Sequence, residues 1–443
     1  MKTRVGMVSL GCPKNQVDAE LMLARFKNAG FEITADAGVA DVVVINTCGF
    51  IEDAKRESIE NILEFCGLKK EGRIKCVAVT GCLAERYRDE VAKEIPEADV
   101  ILGIGANNDI VQAVLTALNG RKVESFPDKL ALPLSGERVL TTLPFFAYLK
   151  IAEGCDNCCS YCAIPAIRGP FRSRPIDEVV QEAEHLARNG ITELVLVAQD
   201  TTRYGEDLYD KSMLPELLGQ LNAIEGLKWI RVLYCYPERI TDELIDAIAN
   251  NSKVVKYLDI PIQHCDEAVL RAMNRRGSRR ELTALIKKLR ERIPGVTLRT
   301  TLIAGFPGET KQQFAELCDF VKEMKFDRLG CFAYSQEEDT VAAKMDGQLE
   351  EKEKHRRADI IMTEQATISE RLTRKFIGKT VEAVVEGFDR YAECFFGRTA
   401  MDAPEIDGKI FFTAAGKLPI GRYVKVKIDG VMDYDLTGTV IEE

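Results

Sequence analysis

Three cysteines close together in the middle of the chain have the spacing of an iron–sulfur ligand set. The segment 154–162 has the sequence GCDNCCSYC, in which Cys155, Cys159 and Cys162 are spaced C-x₃-C-x₂-C. Three thiolates on one loop can bind three irons of a cubane 4Fe–4S cluster. The fourth iron then keeps a free coordination position, which an enzyme needs if its metal is to bind a small molecule. These cysteines, the loop triad, therefore predict a cluster that takes part in chemistry.

Two other interpretations of this loop compete with the cluster. In the first, Cys155 with Cys158 and Cys159 with Cys162 form paired C-x₂-C zinc ligands. Four ligands so close in sequence, two of them adjacent, would crowd a tetrahedral site. In the second, the cysteines are buried structural residues, although a loop with polar neighbours is a poor place for core side chains. Cys158 lies outside the predicted ligand set.

A second set of cysteines is spread through the N-terminal part of the chain. Cys12, Cys48 and Cys82, the N-terminal triad, each follow a short apolar run and each adjoin a glycine. The carboxyl ends of parallel strands meet at one edge of an open α/β sheet, where such sheets bind ligands. The pattern predicts one shared metal site, but it does not separate iron–sulfur from zinc. The other cysteines are predicted to be small buried hydrophobes: Cys66, Cys76, Cys235, Cys265, Cys318, Cys331 and Cys394.

Alternating strands and helices predict the domain that positions the N-terminal triad. Residues 1–120 contain three continuous apolar runs, 5–10, 41–46 and 76–80, with helical stretches between them. Such runs are typical of parallel strands buried on both faces, and their alternation with helices predicts an open α/β domain. Residues 121–143 lack periodicity and contain prolines, so we predict a linker there.

Residues 144–373 resume the alternation and end in a charged helix over 350–374. Six strand–helix units predict a full or partial (β/α) barrel. The loop triad follows the first of these strands, at the face where barrels of this kind build their active sites. The six strands are predicted at 147–151, 194–198, 230–234, 257–260, 298–303 and 328–334.

The last residues, 374–443, change character. Short strands separated by turn residues predict a small antiparallel β-barrel. From Lys375 onward there are nine Lys and Arg against twelve Asp and Glu, a net charge of −3. The strands are predicted at 381–385, 395–398, 409–412 and 424–428.

Length and composition restrict the class of protein. The chain has 443 residues, 46% hydrophobic and 29% charged, which is typical of a soluble protein with several domains. No stretch approaches the ~20 apolar residues of a membrane helix, and no signal peptide is predicted. Fourteen cysteines suit metal binding in the reducing cytoplasm better than a disulfide scaffold. The net charge of −10 favours a basic partner over a polyphosphate.

Several segments resemble the radical S-adenosylmethionine methylthiotransferases. They are SLGCPKN at 9–15, NTCGFI at 46–51, IPAIRG at 164–169 and the loop triad itself, with Tyr161 before its last cysteine. A further segment, AQDTTRYG at 198–205, is similar to the branch that modifies an aspartate of ribosomal protein uS12. The resemblance covers essentially the whole chain in the same domain order.

The resemblance implies two 4Fe–4S clusters and S-adenosylmethionine as cofactors. The loop triad would hold the cluster whose unique iron binds S-adenosylmethionine, which is cleaved on reduction to a 5′-deoxyadenosyl radical. Such a radical can take hydrogen from a carbon that acid–base chemistry cannot activate. The N-terminal triad would hold the second cluster, which serves the sulfur transfer, and a second S-adenosylmethionine would supply the methyl group. The terminal barrel would be an OB-like TRAM domain. The triplet DNC at 156–158 departs from the polar or basic triplet of the family.

Contacts to S-adenosylmethionine are predicted at Tyr161, Thr301 and Gly305. The segment 299–310, RTTLIAGFPGET, is a strand that runs into a Gly-Pro turn and a helix. In this superfamily such a strand end often borders S-adenosylmethionine, although the segment is equally a plain strand–turn–helix connection. His264 follows a predicted strand and is more often a hydrogen-bonded structural residue than a ligand or a base. No catalytic acid or base is predicted.

The predicted activity is insertion of a methylthio group at the β-carbon of an aspartate of uS12. The predicted partners are uS12 or the small ribosomal subunit and a low-potential electron donor, with no membrane partner. RNA could contact the TRAM domain, but its net charge favours a basic protein, with Asp433 and Asp435 as candidate contacts. The alternatives are a tRNA adenosine methylthiotransferase and a non-catalytic iron–sulfur redox protein.

Overall fold

A six-stranded parallel sheet forms the first part of the computed structural model, which describes residues 2–441. Its strands are β1 (Arg4–Ser9), β2 (Glu32–Thr34), β3 (Val42–Thr47), β4 (Cys76–Gly81), β5 (Val100–Leu102) and β6 (Val123–Ser125). Its helices are α1 (Pro13–Asn28), α2 (Glu52–Lys70), α3 (Cys82–Arg86), α4 (Arg88–Glu94) and α5 (Ile110–Leu118). The strand order is β2-β1-β3-β4-β5-β6. Alternate residues of β3 and β4 pack into two apolar clusters, one on each face, which explains their continuous apolar runs.

Three of these strands are too short to leave a pattern in the sequence. β2, β5 and β6 have three residues each, below the four to eight from which a strand is predicted. β6 lies inside the segment 121–143 and pairs in parallel with β5, so the linker prediction is wrong for residues 123–125. The cause is burial, because Val123 packs against the apolar core of the sheet. We propose that the first domain extends to the end of β6.

The central part contains parallel strands, helices on their outer side and a small antiparallel pair. The strands are β7 (Phe146–Lys150), β8 (Ala152–Glu153), β9 (Arg172–Ser173), β10 (Glu193–Val197), β11 (Trp229–Val232), β12 (Tyr257–Asp259), β13 (Thr297–Ala304) and β14 (Arg328–Ala333). The helices are α6 (Ile164–Arg168), α7 (Ile176–Arg188), α8 (Glu206–Tyr209), α9 (Leu214–Ala223), α10 (Asp242–Asn250), α11 (Glu267–Ala272), α12 (Arg279–Arg292), α13 (Lys311–Met324) and α14 (Glu351–Thr373).

Six of these strands form a partial (β/α) barrel, as the sequence predicts. They make two parallel sheets, β7-β10-β11 and β12-β13-β14. The two sheets are joined by a bridge between Ile230 and Val254 and by a hydrogen bond from Cys235 N to Asp259 O at 2.8 Å. Within residues 2–441, β7 and β14 are not paired with each other, so the barrel is open. No helix in this range has the length and apolar composition to cross a membrane.

The C-terminal part is a closed five-stranded barrel. Its strands are β15 (Thr380–Asp389), β16 (Cys394–Thr399), β17 (Ile410–Thr413), β18 (Tyr423–Met432) and β19 (Asp435–Val440). They close in the order β15-β16-β17-β19-β18. The barrel differs from the prediction in two respects: β19 is a fifth strand, and it pairs in parallel with β17. The fold class predicted from the sequence is otherwise confirmed.

Buried ion pairs fix this terminal barrel to the amino ends of the central strands. Glu193, the first residue of β10, accepts hydrogen bonds from Arg398 Nη2 at 2.7 Å and from Arg231 Nε at 3.2 Å. All three side chains are buried. Charges removed from water are tolerated only with such partners, so the orientation of the two domains is tightly specified.

The loop between β16 and β17 carries further acidic side chains into the same interface. Asp402 accepts a hydrogen bond from Arg328 at 2.5 Å, and Asp407 accepts one from the Tyr257 hydroxyl at 2.6 Å. Asp407 also lies 3.4 Å from Arg299 Nε. Part of the negative charge of the terminal barrel therefore faces the central domain. The net charge of −3 does not describe the surface that the barrel presents to a partner.

Candidate active site

The N-terminal triad lies at the carboxyl ends of three strands that are adjacent in the sheet, β1, β3 and β4. Cys12 precedes α1, Cys48 follows β3 and Cys82 begins α3. Gly11 has φ +87°, and a Cβ there would lie 2.7 Å from Cys48 Cβ and 2.8 Å from its Sγ. Glycine is therefore required for the loops of Cys12 and Cys48 to approach so closely. The structure brings the three cysteines together, and their role as ligands stays a prediction.

Burial opposes ionisation of the thiols of the N-terminal triad, whereas the positive charge of Arg168 favours it. Burial raises the pKa of Cys82 to about 12, and the neighbouring Cys48 and Cys12 contribute in the same direction. A cluster ligand must be a thiolate, so a nearby positive charge is favourable. The guanidinium of Arg168 donates to Cys82 Sγ at 3.2 Å and lowers the pKa of this thiol against the effect of burial.

Arg168 also belongs to a buried ion network that joins the first domain to the central one. It donates to Asp18 Oδ2 at 2.6 Å, to Asn15 Oδ1 at 2.9 Å and to Glu153 Oε2 at 3.3 Å. Lys150 donates to both carboxylates as well. Asp18 and Asn15 lie on α1, whereas the other three residues belong to the central domain. The network therefore holds the N-terminal triad against the segment that follows the loop triad.

Replacing Arg168 by methionine is expected to lower the free energy of unfolding of the cofactor-free protein by about 3–5 kcal/mol. The change leaves Asp18 and Glu153 buried, with Lys150 as their one ion-pair partner in the described chain. Urea unfolding followed by circular dichroism measures the loss. The control is Arg374→Met at an exposed ion pair, which should cost less than about 1 kcal/mol. Equal losses in the two variants would contradict the role of the network.

The loop triad follows β7 and β8 at the carboxyl end of the barrel strands. The Cys162 N–H donates to Cys159 O at 3.0 Å, and burial raises the pKa of Cys162, with Cys159 and Cys155 as further causes. The Tyr236 hydroxyl lies 3.2 Å from Cys159 Sγ. The guanidinium of Arg275 lies 4.0 Å above the Tyr236 ring. The structure thus brings the triad together at the predicted face of the barrel, against a tyrosine and an arginine from other loops.

The unusual triplet at 156–158 ties the loop to the AQDTTRYG segment. Asn157 Nδ2 donates to Oδ2 of the buried Asp200 at 2.8 Å. Cys158 is exposed with φ +50°, and its carbonyl oxygen accepts a hydrogen bond from Asn274 Nδ2 at 2.8 Å. The triplet therefore anchors the loop, while the Cys158 thiol stays at the surface.

The residues predicted to contact S-adenosylmethionine lie near this loop or on β13. Tyr161 packs against an apolar cluster that includes Phe306 and Tyr334, and burial raises its pKa well above the ordinary value, with Cys159 as a further cause. Thr301 lies on β13, where its hydroxyl is 3.4 Å from Arg299 Nη1. Their contacts with the cofactor stay predictions.

Gly305 has a structural explanation of its own. It has φ +76°, and a Cβ there would lie 2.7 Å from Cγ and 2.9 Å from Cα of Lys354. Its N–H donates to Glu309 Oε2 at 2.5 Å. Packing of α14 against this turn therefore requires glycine, whether or not the turn also borders S-adenosylmethionine.

His264 has a hydrogen bond on one ring nitrogen, whereas its Nε2 is buried without a hydrogen-bond partner among residues 2–441. The ring is buried, and its Nδ1 accepts a hydrogen bond from the Asp266 N–H at 3.0 Å. Burial lowers the pKa of His264 to about 4. The side chain is therefore neutral near pH 7 and hydrogen-bonded within its own loop.

The donor sets of both triads fit iron–sulfur clusters. Within residues 2–441, no three His, Cys, Asp or Glu side chains are close enough to share one metal ion. A tetrahedral zinc ion would bring its thiolates within about 3.8 Å of one another, because each Zn–S bond is about 2.3 Å. A cubane cluster instead places each thiolate on a different iron. Three cysteines in each triad would leave one iron per cluster without a protein ligand.

Sequence reasoning missed several residues that hold the two triads. Arg168 and Asp200 lie in IPAIRG and AQDTTRYG, so their place in family segments was a usable signal. Tyr236 and Arg275 carried no such signal, because their contacts with the loop triad depend on chain folding between distant residues.

Three family models match the chain in the order of its three parts. Residues 4–103 match the Uncharacterized protein family UPF0004, residues 149–321 the Radical SAM superfamily and residues 377–441 the TRAM domain. A solved structure of the radical S-adenosylmethionine methyltransferase TsrM from Kitasatospora setae, with cobalamin and a [4Fe-4S] cluster bound, has a TM-score of 0.55 and 15% identity. The match covers 76% of this chain and 77% of that chain. At this identity the likeness shows the fold alone. The fold, the family model and the loop triad define a radical S-adenosylmethionine enzyme.

Full-length relatives define the family within this class. Ribosomal protein uS12 methylthiotransferase RimO of Clostridium botulinum (strain Eklund 17B / Type B) is 49% identical, with 100% of this chain and 99% of the relative covered. The protein of the same name from Pelotomaculum thermopropionicum is 50% identical, with 100% of both chains covered. The chain belongs to the ribosomal protein uS12 methylthiotransferase RimO family.

Proposed function

We propose that this protein transfers a methylthio group to ribosomal protein uS12, at the β-carbon of an aspartate. The observation that carries the proposal is the pair of cysteine triads that one buried ion network holds together, in a chain of the RimO family. A reaction that needs both a carbon radical and a sulfur donor requires two such sites close to each other. A single redox cluster would need only one.

Each triad would hold one 4Fe–4S cluster. When bound, the clusters and S-adenosylmethionine supply a radical that removes hydrogen from an unactivated carbon, and the sulfur and methyl group that replace it. The protein's own residues position these groups. Tyr236 contacts Cys159, and Arg168 places a positive charge beside Cys82. The buried ion network keeps water away from the contact between the two domains.

Neither alternative function is favoured. Full-length relatives carry the uS12 name, which argues against a tRNA adenosine substrate and against a non-catalytic redox role. The charge of the TRAM domain contributes less to this choice than the sequence predicts, because Asp402 and Asp407 are used inside the protein. We infer that the enzyme acts in the cytoplasm, on free uS12 or on the small subunit, with a low-potential electron donor.

A reconstitution experiment tests the proposal. The protein, loaded anaerobically with iron and sulfide, is incubated with S-adenosylmethionine, a low-potential reductant and either uS12, small ribosomal subunits or tRNA. Mass spectrometry should find a methylthio group on one aspartate of uS12 and none on tRNA. The Cys155→Ala variant serves as the negative control. Methylthioadenosine in tRNA together with unmodified uS12 would show that the proposed substrate is wrong.

A further inference from the structure

One buried lysine lacks the carboxylate partner that the others have. Lys14 is 7% exposed, and in the described chain no carboxylate lies within ion-pair distance of its ammonium. Buried lysines are normally paired, because an isolated charge is costly to remove from water. The other buried lysines each have a partner: Lys55 has Glu52 and Glu337, Lys150 has Asp18 and Glu153, and Lys354 has Glu351.

The contact that Lys14 does make leaves its charge available. Its Nζ lies 3.6 Å from the centroid of the Tyr234 ring. A cation–π contact stabilises an ammonium group without neutralising it, and the group has three N–H donors. Tyr234, Cys12 and Glu153 attract Lys14 electrostatically, and Tyr234 is also its hydrogen-bond partner, but the Glu153 carboxylate lies beyond ion-pair distance. Lys14 can therefore still bind an anionic group from outside the chain.

The position of Lys14 is between the two triads. It follows Cys12 by two residues on the first turn of α1. Its partner Tyr234 lies just after β11, two residues before Tyr236, whose hydroxyl is 3.2 Å from Cys159 Sγ. One short segment of the central domain thus extends from Lys14 to the loop triad. A substrate side chain that reacts at both triads must come close to this lysine.

Tyr234 is held in a conformation that tyrosine rarely adopts. Its φ is +61°. Its N–H donates to Asp259 Oδ2 at 3.0 Å, and its carbonyl oxygen accepts from Thr201 N–H at 3.1 Å. Strained residues that the surroundings fix in this way are concentrated at ligand-binding sites. Tyr234 is partly exposed, so the lysine beneath it lies next to solvent-accessible surface.

We propose that Lys14 binds the side-chain carboxylate of the target residue and so makes the enzyme specific for an acidic side chain. The inference rests on the proposed function. A charge-assisted hydrogen bond from the ammonium to the carboxylate would hold the adjacent β-carbon between the two triads. A tRNA base has no carboxylate, so the same lysine would disfavour it.

The substrate side of the test uses wild-type holoenzyme and two forms of purified uS12, one with the target aspartate and one with asparagine in its place. Loss of a hydrogen bond to a charged group should lower kcat/KM by about 10- to 100-fold. Equal kcat/KM for the two forms would overturn the proposal. If the wild type modifies neither form, the proposed function itself is wrong, which is a different result.

The enzyme side uses Lys14→Met and Lys14→Arg. Lys14→Met should bind wild-type uS12 about 10- to 100-fold more weakly in a direct binding assay and should prefer aspartate over asparagine by less than about threefold. Lys14→Arg should keep most of the preference. Iron content and substrate-free cleavage of S-adenosylmethionine should match the wild type in both variants.

The matched control is Lys55→Met, which removes another buried lysine that lies beside a tyrosine ring but has carboxylate partners. Its preference for aspartate should be unchanged. A Lys14→Met enzyme that discriminates between the two substrates as strongly as Lys55→Met would overturn the proposal. Should Lys14→Met fail to bind its full iron content, Lys14→Arg and the asparagine substrate still decide the question.

Discussion

Alanine at all three positions of the loop triad, Cys155, Cys159 and Cys162, is expected to abolish both the reductive cleavage of S-adenosylmethionine and the modification of uS12. We assign the triad as the protein ligands of the cluster that forms the radical. Cys158, the neighbouring cysteine of the same loop, is exposed whereas Cys155 and Cys159 are buried, so we do not expect it to replace them. Chromatography of the nucleoside products measures cleavage, and mass spectrometry measures modification.

Alanine at the N-terminal triad, Cys12, Cys48 and Cys82, provides the matched comparison. This variant should keep about four of about eight irons and should still cleave S-adenosylmethionine, while its modification of uS12 falls below detection. The two triads lie on different domains, so either can be removed while the other keeps its own loop. Loss of cleavage in the N-terminal variant, with the second cluster still present by electron paramagnetic resonance, would contradict this division of roles.

The second large effect concerns the interface between the central domain and the terminal barrel. Arg398→Met should lower the free energy of unfolding by about 3–5 kcal/mol, because it leaves the buried Glu193 with Arg231 as its remaining cation. Removal of residues 374–443 exposes the buried Glu193. It also exposes Arg299 and Arg328, which lose their partners in the terminal barrel. The truncated protein is therefore expected to aggregate.

Lys228→Met is the control for this interface, since Lys228 forms an exposed ion pair with Glu382 across the same two domains. Its cost should be less than about 1 kcal/mol. Thermal unfolding of the cofactor-free proteins gives the comparison. A truncated chain that unfolds at the same temperature as the full-length protein would show that the buried ion pairs do not stabilise the central domain.

Contacts within the terminal barrel weaken the prediction that the acidic residues near the end of the chain recognise a basic protein. Asp435 Oδ1 accepts a hydrogen bond from Lys409 N–H at 2.7 Å, so its charge is used in joining β19 to β17. Asp433 lies in the turn before β19 with φ +48°. Charge reversal at both positions would therefore disturb the barrel itself, and a weaker affinity for uS12 could not be assigned to electrostatic recognition.

Much of the fold was predictable because burial leaves a strong pattern. β3, β4 and the barrel strands β7 and β10 are buried at every position, and the cysteines of the two triads lie in loops or helix starts that follow such strands. The placement of Cys12, Cys48 and Cys82 at one edge follows from parallel strand geometry. β2, β5 and β6 were missed because three residues are too few for a period to appear.

The contacts between domains were not predictable in the same way. Arg168 meets Asn15 and Asp18 across about 150 residues of chain, and Arg398 meets Glu193 across about 200. No periodicity relates residues so far apart, and the sequence does not distinguish a buried charged residue from an exposed one. The acidic composition of the terminal barrel misled the charge argument for this reason.

Mass spectrometry of a strain that lacks the gene for this protein shows whether the protein modifies uS12 in the cell. Ribosomal proteins and tRNA nucleosides are compared between the deletion strain, the same strain carrying the wild-type gene, and the strain carrying the loop-triad alanine variant. We expect the methylthio group on the uS12 aspartate to disappear on deletion, to return with the wild-type gene and to stay absent with the variant, while tRNA nucleosides are unchanged. An unchanged uS12 mass in all three strains, or loss of a methylthio nucleoside from tRNA, would contradict this expectation.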